Sequence, residues 1–407
     1  MPATPPATTA TPPTRGSPLE VFATFLRLGL TSFGGPVAHL GYFRAEFVSR
    51  RRWLTEHSFA ELLAIAQSLP GPASSQTGYM IGLLRAGLPG ALAAWLGFTT
   101  PSAILMLAFA FGHSLFTGRF GNALLHGLQV AAVAVVAQAV LSMRRSLAPD
   151  IPRILLALLA AAITLLAPAS FGTLLAIALG ALLGLTLRTS NDAPQLTLPA
   201  PLSRRASLIA AALFAALVCL CIAVRSNTIS PLTVFSRFAR SGALVFGGGH
   251  VVLPMLESAV VSRWVPQPTF LAGYGAAQAL PGPLFTFAAF LGASLQPNPH
   301  PIAFGLIALI AIFLPGLLLA TAVLPFWTAI RAHAAIRRAM NGINAAVVGI
   351  LAAALIRPVA SSTLHTWLDL GLAIAAGFAL VLWKLPPWLV VLATAALTVL
   401  ATAFQTR

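Results

Sequence analysis

Two arginines set inside apolar segments, each followed by a glycine pair, are the residues of this chain best suited to do chemistry. Arg27 precedes Gly34-Gly35, and Arg240 precedes Gly247-Gly248. A guanidinium stays charged and presents a planar fork of donors to an anion's oxygens. Adjacent glycines let backbone amides come close to an ion. Each arginine lies about nine residues into its segment, roughly 14 Å deep at about 1.5 Å per residue. A charge at such depth costs at least about 2.5–3.5 kcal/mol and points to a paired or functional site. Two guanidiniums have the charge to offset a divalent oxyanion and the donors to hydrogen-bond its oxygens.

A second pair of breaks follows. Gln67 leads into Leu69-Pro70-Gly71-Pro72, and Gln278 into Leu280-Pro281-Gly282-Pro283. Non-helical backbone at membrane depth is tolerated where protein or water satisfies its polar groups, so each break points to a cavity. Proline suits the first position of a new half-helix, whose first amides have no partner within the helix. Amides near Val37, Ala73, Ser74 and Ser75 therefore favour an anion. Gln67 and Gln278 are read equally as ligands or as helix-packing groups.

The elements that position these residues are duplicated. Leu19–Arg50 and Leu232–Arg263 align without gaps, with identical residues at 13 of 32 positions. Phe22, Phe25, Arg27, Gly29, Phe33, Gly34 and Gly35 match Phe235, Phe238, Arg240, Gly242, Phe246, Gly247 and Gly248. Ala66–Pro72 matches Ala277–Pro283, Trp53 matches Trp264, and Pro101 matches Pro315. Chance alignment of Ala/Leu-rich helices does not explain matched Gly, Pro, Arg and Gln.

Proton-handling candidates are less localised. His39 and His250 flank the glycine breaks, and Glu46, Glu61, Glu257 and Asp369 lie in or near apolar segments. Each is read equally as an ion-pair partner or interface group; His250, directly after Gly249, is the preferred histidine. Glu20, Thr24, Arg27 and Thr31 form one polar stripe, and Thr233, Arg237 and Arg240 its counterpart. The competing reading is an amphipathic helix in the headgroup layer with its arginines on phosphates. The adjoining glycine pair argues against that.

Composition sets the solvent. Hydrophobic residues make up 58% of 407, charged residues 8%, and mean hydropathy is +0.89. A soluble domain carries roughly a quarter charged residues. The partner is thus a lipid bilayer, with recurrent apolar runs long enough to cross it. The +16 net charge comes from arginines that mostly lie between apolar segments, where they set topology, so nucleic acid is not expected as a partner. No metal motif, P-loop or dinucleotide fingerprint appears, so no cofactor or metal is expected. The eight acids are scattered, which argues against an enzyme. Cys219 and Cys221 read as packing residues. The tryptophans at 53, 264, 327, 383 and 388 read as an interfacial belt.

The expected fold is an all-α polytopic membrane protein, with two inverted homologous halves built on broken helices or helical hairpins. Its parts are a disordered tail (1–17) without a signal-peptide core, a first repeat (18–187), a polar linker (188–205) holding Asn191 and Asp192, a connecting helix (206–229) and a second repeat (230–404). If both broken units of a half are alike, an odd number of crossings separates the repeats, which inverts them. If each unit is a hairpin and the N-terminus is inside, 15 basic residues lie inside against six outside, namely Arg119, Arg225, Arg237, Arg263, Arg357 and Arg407. Single-spanning units give a less one-sided division. Hairpins are therefore expected, with the N-terminus cytoplasmic and the C-terminus periplasmic.

With an FGG break followed by an AQxLPGP break in each half, the chain resembles the chromate ion transporter family in its long, two-domain form. The resemblance rests on Phe33–Pro36 with Gln67–Pro72, and on Phe246–His250 with Gln278–Pro283, and covers about residues 18–404. It implies an inner-membrane secondary transporter that exports chromate, with sulfate as the structural analogue, driven by membrane potential or a proton gradient. Transport of sulfate or another oxyanion, or an anion channel, stays open as the alternative. A homodimer is compatible with the sequence. Gly249-His250 stands where the first half has Pro36-Val37, so the halves are not interchangeable.

Overall fold

The computed structural model describes residues 16–112, 115, 118–167, 169–187, 202–224, 226–261 and 263–404. Most of the expected tail, residues 188–201 of the linker with Asn191 and Asp192, Arg225 and Arg407 lie outside the described residues. Helix α1 (Pro18–Thr31) starts where Ser17 Oγ accepts the Glu20 amide at 3.1 Å, with proline at its first position. It stops at Ser32, and α2 (Gly35–Arg44) runs back, continuing as one π-helical stretch over Ala45–Arg50. The two arms are antiparallel. The Phe25 ring packs on Phe43 and Phe47 at 5.5 and 4.9 Å, and Glu20 near the start meets Arg51 near the return at 3.6 Å.

The second unit repeats the manoeuvre. Helix α3 (Glu56–Ser68), capped by Thr55, ends at the Pro-Gly-Pro break, and α4 (Ala73–Gly112) follows. Non-helical Ala86 and Gly87 divide α4 into a short returning arm and a long crossing arm. At that division Arg85 lies over the Trp53 ring at 4.9 Å and pairs with Glu20 at 3.2 Å. Both hairpins of the first half thus end on the side where they began.

Helices α5 (Gly118–Leu147), α6 (Ile151–Leu166), α7 (Ala169–Gly184) and α8 (Arg204–Ala223) lead to the second half. The connecting helix begins at Arg204 because Ser203 caps it, accepting the Ala206 amide at 3.2 Å. Within α8, Cys221 is buried and Cys219 exposed, both as free thiols.

In the second half, α9 (Pro231–Ala243) turns back into α10 (Val252–Val260), with Ser241 Oγ donating to Met255 O and Arg237 to Ala259 O. Then come α11 (Gln267–Ala279), the second Pro-Gly-Pro break and α12 (Phe287–Ala293). Gln296 N donates to Trp264 O at 2.9 Å, again joining a hairpin's two ends. Helices α13 (Pro301–Val323), α14 (Trp327–Ala332), α15 (Ala334–Ala354), α16 (Trp367–Val381) and α17 (Pro387–Phe404) complete the chain.

The two sets of hairpins open toward opposite faces. Helix α13 starts beside the Trp264–Gln296 closure and runs roughly 34 Å at 1.5 Å per residue. At its far end Thr321 bonds Tyr79 at 2.9 Å, and just beyond it Trp327 Nε1 donates to Glu61 Oε2 at 3.1 Å, both partners in the first half. Helix α8 makes the reverse crossing. Ser207 near its start donates to Thr321 O, while beyond its end Asn227 O accepts from Trp264 Nε1.

The inverted halves also interlock, since α15 packs against α6 and α7, and α17 against α5. Equivalent glycines permit the closest approaches. A Cβ at Gly29 would lie 2.8 Å from Phe98 O, and one at Gly242 would lie 2.1 Å from Ile312 O. Among the described residues, six helices are long and apolar enough to cross a membrane, and no β-strand forms. Leu155, Leu158, Leu208, Leu213, Ile310 and Phe378 face outward, an apolar surface suited to lipid.

One expectation is corrected here. Trp53, Trp264 and Trp327 are buried and close the hairpin bases and the junction between halves, so they form no lipid-facing belt. Their indoles find guanidinium or polar partners inside the protein, which removes the need for headgroup contact. Trp383 is exposed, and Trp388 sits 5.8 Å from the Phe33 ring.

Candidate functional site

The tips of the hairpins meet in reciprocal pairs. Gly71 N, in the second break of the first half, donates to Val245 O beside the second-half glycines at 2.7 Å. Its counterpart Gly282 N donates to Ser32 O beside the first-half glycines at 3.0 Å. Each half's second hairpin is thereby tied to the other half's first. Left-handed backbone makes these turns: φ is +100° and +76° at Gly34 and Gly35, +75° and +141° at Gly247 and Gly248, +127° at Gly71 and +89° at Gly282. A side chain at any of these positions would be strained.

Polar capacity is left over around this crossing. Ser32 Oγ, Ser75 Oγ, Gln76 Oε1 and Thr99 Oγ1 are buried without a hydrogen-bond partner. Unsatisfied buried groups are uncommon in native proteins and costly, which makes this crossing a candidate place for a ligand or water. Gln76 N closes the first helical bond of α4, to Pro72 O, so the Ala73, Ser74 and Ser75 amides precede it without an acceptor in their own helix. Beside them His39 is fully buried, with Nε2 3.1 Å from Ser32 O, Nδ1 3.5 Å from Ser74 Oγ and its ring edge-on to Phe98. A Cβ at Gly35 or at its equivalent Gly248 would meet nothing within 4 Å, so both glycine backbones border open space. No acidic residue occurs in the tip segments 32–35, 69–76, 245–250 or 280–286. Donors without carboxylates suit an anion.

The crossing unites Gly34, Gly35, Pro70, Gly71, Pro72, Ser74, Ser75, Gly247, Gly248, Pro281, Gly282 and Pro283. It does not unite the glutamines. Gln67 is exposed, whereas Gln278 is buried beside Tyr274, and its Nε2 lacks a partner of good geometry. Gln76, Thr99, Ser32 and Ser102 escaped the sequence reading because the duplicated pattern does not carry them; Phe287 stands where a repeat would place Gln76. Gln76 joins the halves, donating to Pro70 O at 2.9 Å and to Gly316 O at 3.0 Å. Ser102 lies against Gly282.

The arginines do not face one another across the tips. Arg27 points out of its hairpin stem, 56% exposed, toward Glu46 at 3.7 Å. Arg50 and Arg51 hold the same carboxylate at 2.9 and 2.7 Å. Arg240 lines a separate pocket on the second stem. Phe25 and Phe238 fill the inward faces of α1 and α9 with fully buried aromatic rings, so the charged stripe turns outward.

The coupling candidates are likewise dispersed. Glu46 is committed to three arginines, and Glu61 accepts from Trp327. Glu257 accepts from Gln267 at 2.8 Å. Asp369 caps α16 and bonds His126 at 2.7 Å. His250 Nδ1 lies 3.0 Å from the Tyr274 hydroxyl, directly beside the tip of α9–α10.

Inverted repeats, broken helices and a buried polar crossing between them define a multi-pass membrane protein of the kind that moves small solutes. The family model for the chromate transporter matches residues 19–185 and again 232–399, once per half. The chain belongs to the chromate transporter family. It is 30% identical to the chromate transport protein of Pseudomonas aeruginosa over 356 residues, 86% of this chain and 83% of that protein. It is 27% identical to the chromate transport protein of Cupriavidus metallidurans, covering 86% of each chain. It is 25% identical to an uncharacterized transporter of Methanocaldococcus jannaschii, covering 84% of each. No solved structure matches.

Proposed function

We propose that this protein is a secondary transporter that exports chromate across the inner membrane and confers chromate resistance, carrying the ion through the crossing of its four hairpin tips. The reciprocal bonds Gly71–Val245 and Gly282–Ser32, with the unpartnered side-chain oxygens Ser32 Oγ, Ser75 Oγ, Gln76 Oε1 and Thr99 Oγ1 around them, carry this reading. Hydroxyls and the free amides of Ala73–Ser75 hold the oxyanion's oxygens, and the glycine tips let backbone approach it. Arg27 and Arg240 act from the stems, roughly 7 Å before the tips, as the positive approach on either side. Because the halves are inverted and tied tip to tip, rocking one against the other opens the same site to alternate faces. His250, beside the tip and bonded to Tyr274, is the preferred proton-coupling group, with Glu257 second. The N-terminus is assigned to the cytoplasm and the C-terminus to the periplasm.

The test is chromate flux in proteoliposomes, with the pH gradient and voltage set independently. The expected result is saturable uptake that follows an imposed gradient and is competed by sulfate only weakly. Stronger competition by sulfate would reassign the substrate, and flux that neither saturates nor couples to a gradient would make the protein a channel.

A further inference from the structure

The two inverted stems share two cationic positions and treat them differently. In the first half Arg27, Arg50 and Arg51 converge on Glu46, an internal anion buried at 7% side-chain exposure. In the repeat alignment Arg27 corresponds to Arg240, Arg50 to Arg263 and Glu46 to Ala259. The second stem therefore keeps two of the three cations, with Trp264 following Arg263 directly, and lacks their carboxylate. It also gains Arg237 where the first half has Thr24.

A cavity of about 80 Å³ occupies that place, lined by Arg237, Arg240, Ser241, Ser258, Ala259 and, from α7, Thr173. Arg237 is fixed by Ala259 O, Ser226 O and the Asn227 side chain, lies over the Trp264 ring at 4.6 Å, and leaves Nε buried without a partner. Arg240 makes no hydrogen bond or ion pair among the described residues. The Ser241 and Ser258 hydroxyls donate only to neighbouring carbonyls and can turn toward a ligand. No carboxylate lines the cavity.

We propose that this pocket is a second oxyanion site, which recruits from outside the tetrahedral anion whose role Glu46 plays within the first half. Two guanidiniums and flanking hydroxyls match the oxygens of a sulfate-like ion or of a phosphate group on a lipid headgroup. The site lies along the α9–α10 stem, from Arg237 and Ala259 to Leu244, just short of the tip. The two faces of the transporter thus differ: one stem carries its own anion and the other captures one.

The test is equilibrium binding of radiolabelled inorganic sulfate to the full-length protein, purified in detergent and freed of phospholipid. Arg240→Gln and Ala259→Glu, the latter restoring the internal carboxylate, are compared with wild type and with Ser75→Ala at the tips. Both pocket variants are expected to weaken the pocket's sulfate binding about tenfold or more. Ser75→Ala is expected to leave this component intact, so failure at the tips and failure at the pocket are read separately. Displacement of sulfate by added phosphatidylglycerol would assign the same pocket to lipid phosphate. Wild-type sulfate binding in both Arg240→Gln and Ala259→Glu would overturn the proposal.

Discussion

Gly71→Ala is expected to reduce chromate flux about tenfold to a hundredfold while the protein still inserts and purifies. At φ +127° an L-residue is strained by about 1–3 kcal/mol. The added Cβ would also sit 2.8 Å from Gln76 Nε2 and 3.0 Å from Gly316 Cα. Either relief moves the tip off Val245 O, which Gly71 N bonds at 2.7 Å, or turns Gln76 away from Gly316 O. Both break the link between the first half's second hairpin and the other half. Since about 1.4 kcal/mol is tenfold, this strain spans the stated range if it falls on the transport-competent geometry. Gly41→Ala is the control: it meets nothing within 4 Å and lies inside α2, so flux should not change. Flux in Gly71→Ala equal to that of the control would show that the tip contact is dispensable.

Glu46→Gln should have the largest effect on stability. It leaves Arg27, Arg50 and Arg51 without the one carboxylate they share. Removing one partner of a well-buried ion pair costs about 3–5 kcal/mol. Two of these arginines are 56% exposed, so water screens part of the loss and about 2–3 kcal/mol is expected. Thermal unfolding in detergent would register this as a fall of roughly 5 °C. Sulfate should restore part of the loss, because the vacated position then resembles the second stem. An unchanged melting temperature would mean that the cluster is a solvated surface array.

Much of the architecture was legible because membrane insertion punishes certain residues. Glycine pairs and Pro-Gly-Pro runs interrupt the helical hydrogen-bond ladder, so their duplication marked the four hairpin tips and their symmetry. Counting arginines favoured hairpins for the same reason, and the Arg85–Trp53 and Gln296–Trp264 closures show chain ends that meet. What periodicity does not reveal is which way a polar stripe turns. Spacing alone lets the stripe of Arg27 face either the tips or the stem surface, and the burial of Phe25 and Phe238 on the opposite face decides it. Nor did duplication find Gln76, Thr99 or Ser32, which have functional interest because the repeat does not copy them. Gln67 and Gln278 make the converse point: matched in sequence, one is exposed and the other buried. Inverted repeats share backbone more faithfully than they share side-chain environment.

That asymmetry bears on mechanism. The tips are tied by two equivalent backbone bonds, as a rocking device needs, while the stems differ in where their anion comes from.

The most direct measurement of the central claim is the concentration dependence of chromate flux for Ser75→Ala beside Gln67→Ala, in proteoliposomes under one fixed gradient. Losing a hydrogen bond to a charged ligand costs about 1.5–3 kcal/mol. Ser75→Ala, buried at the crossing, should therefore lower kcat/KM about tenfold or more, whereas the exposed Gln67→Ala should stay within about twofold of wild type. Wild-type kinetics in Ser75→Ala, or a loss confined to Gln67→Ala, would contradict a substrate site at the hairpin tips.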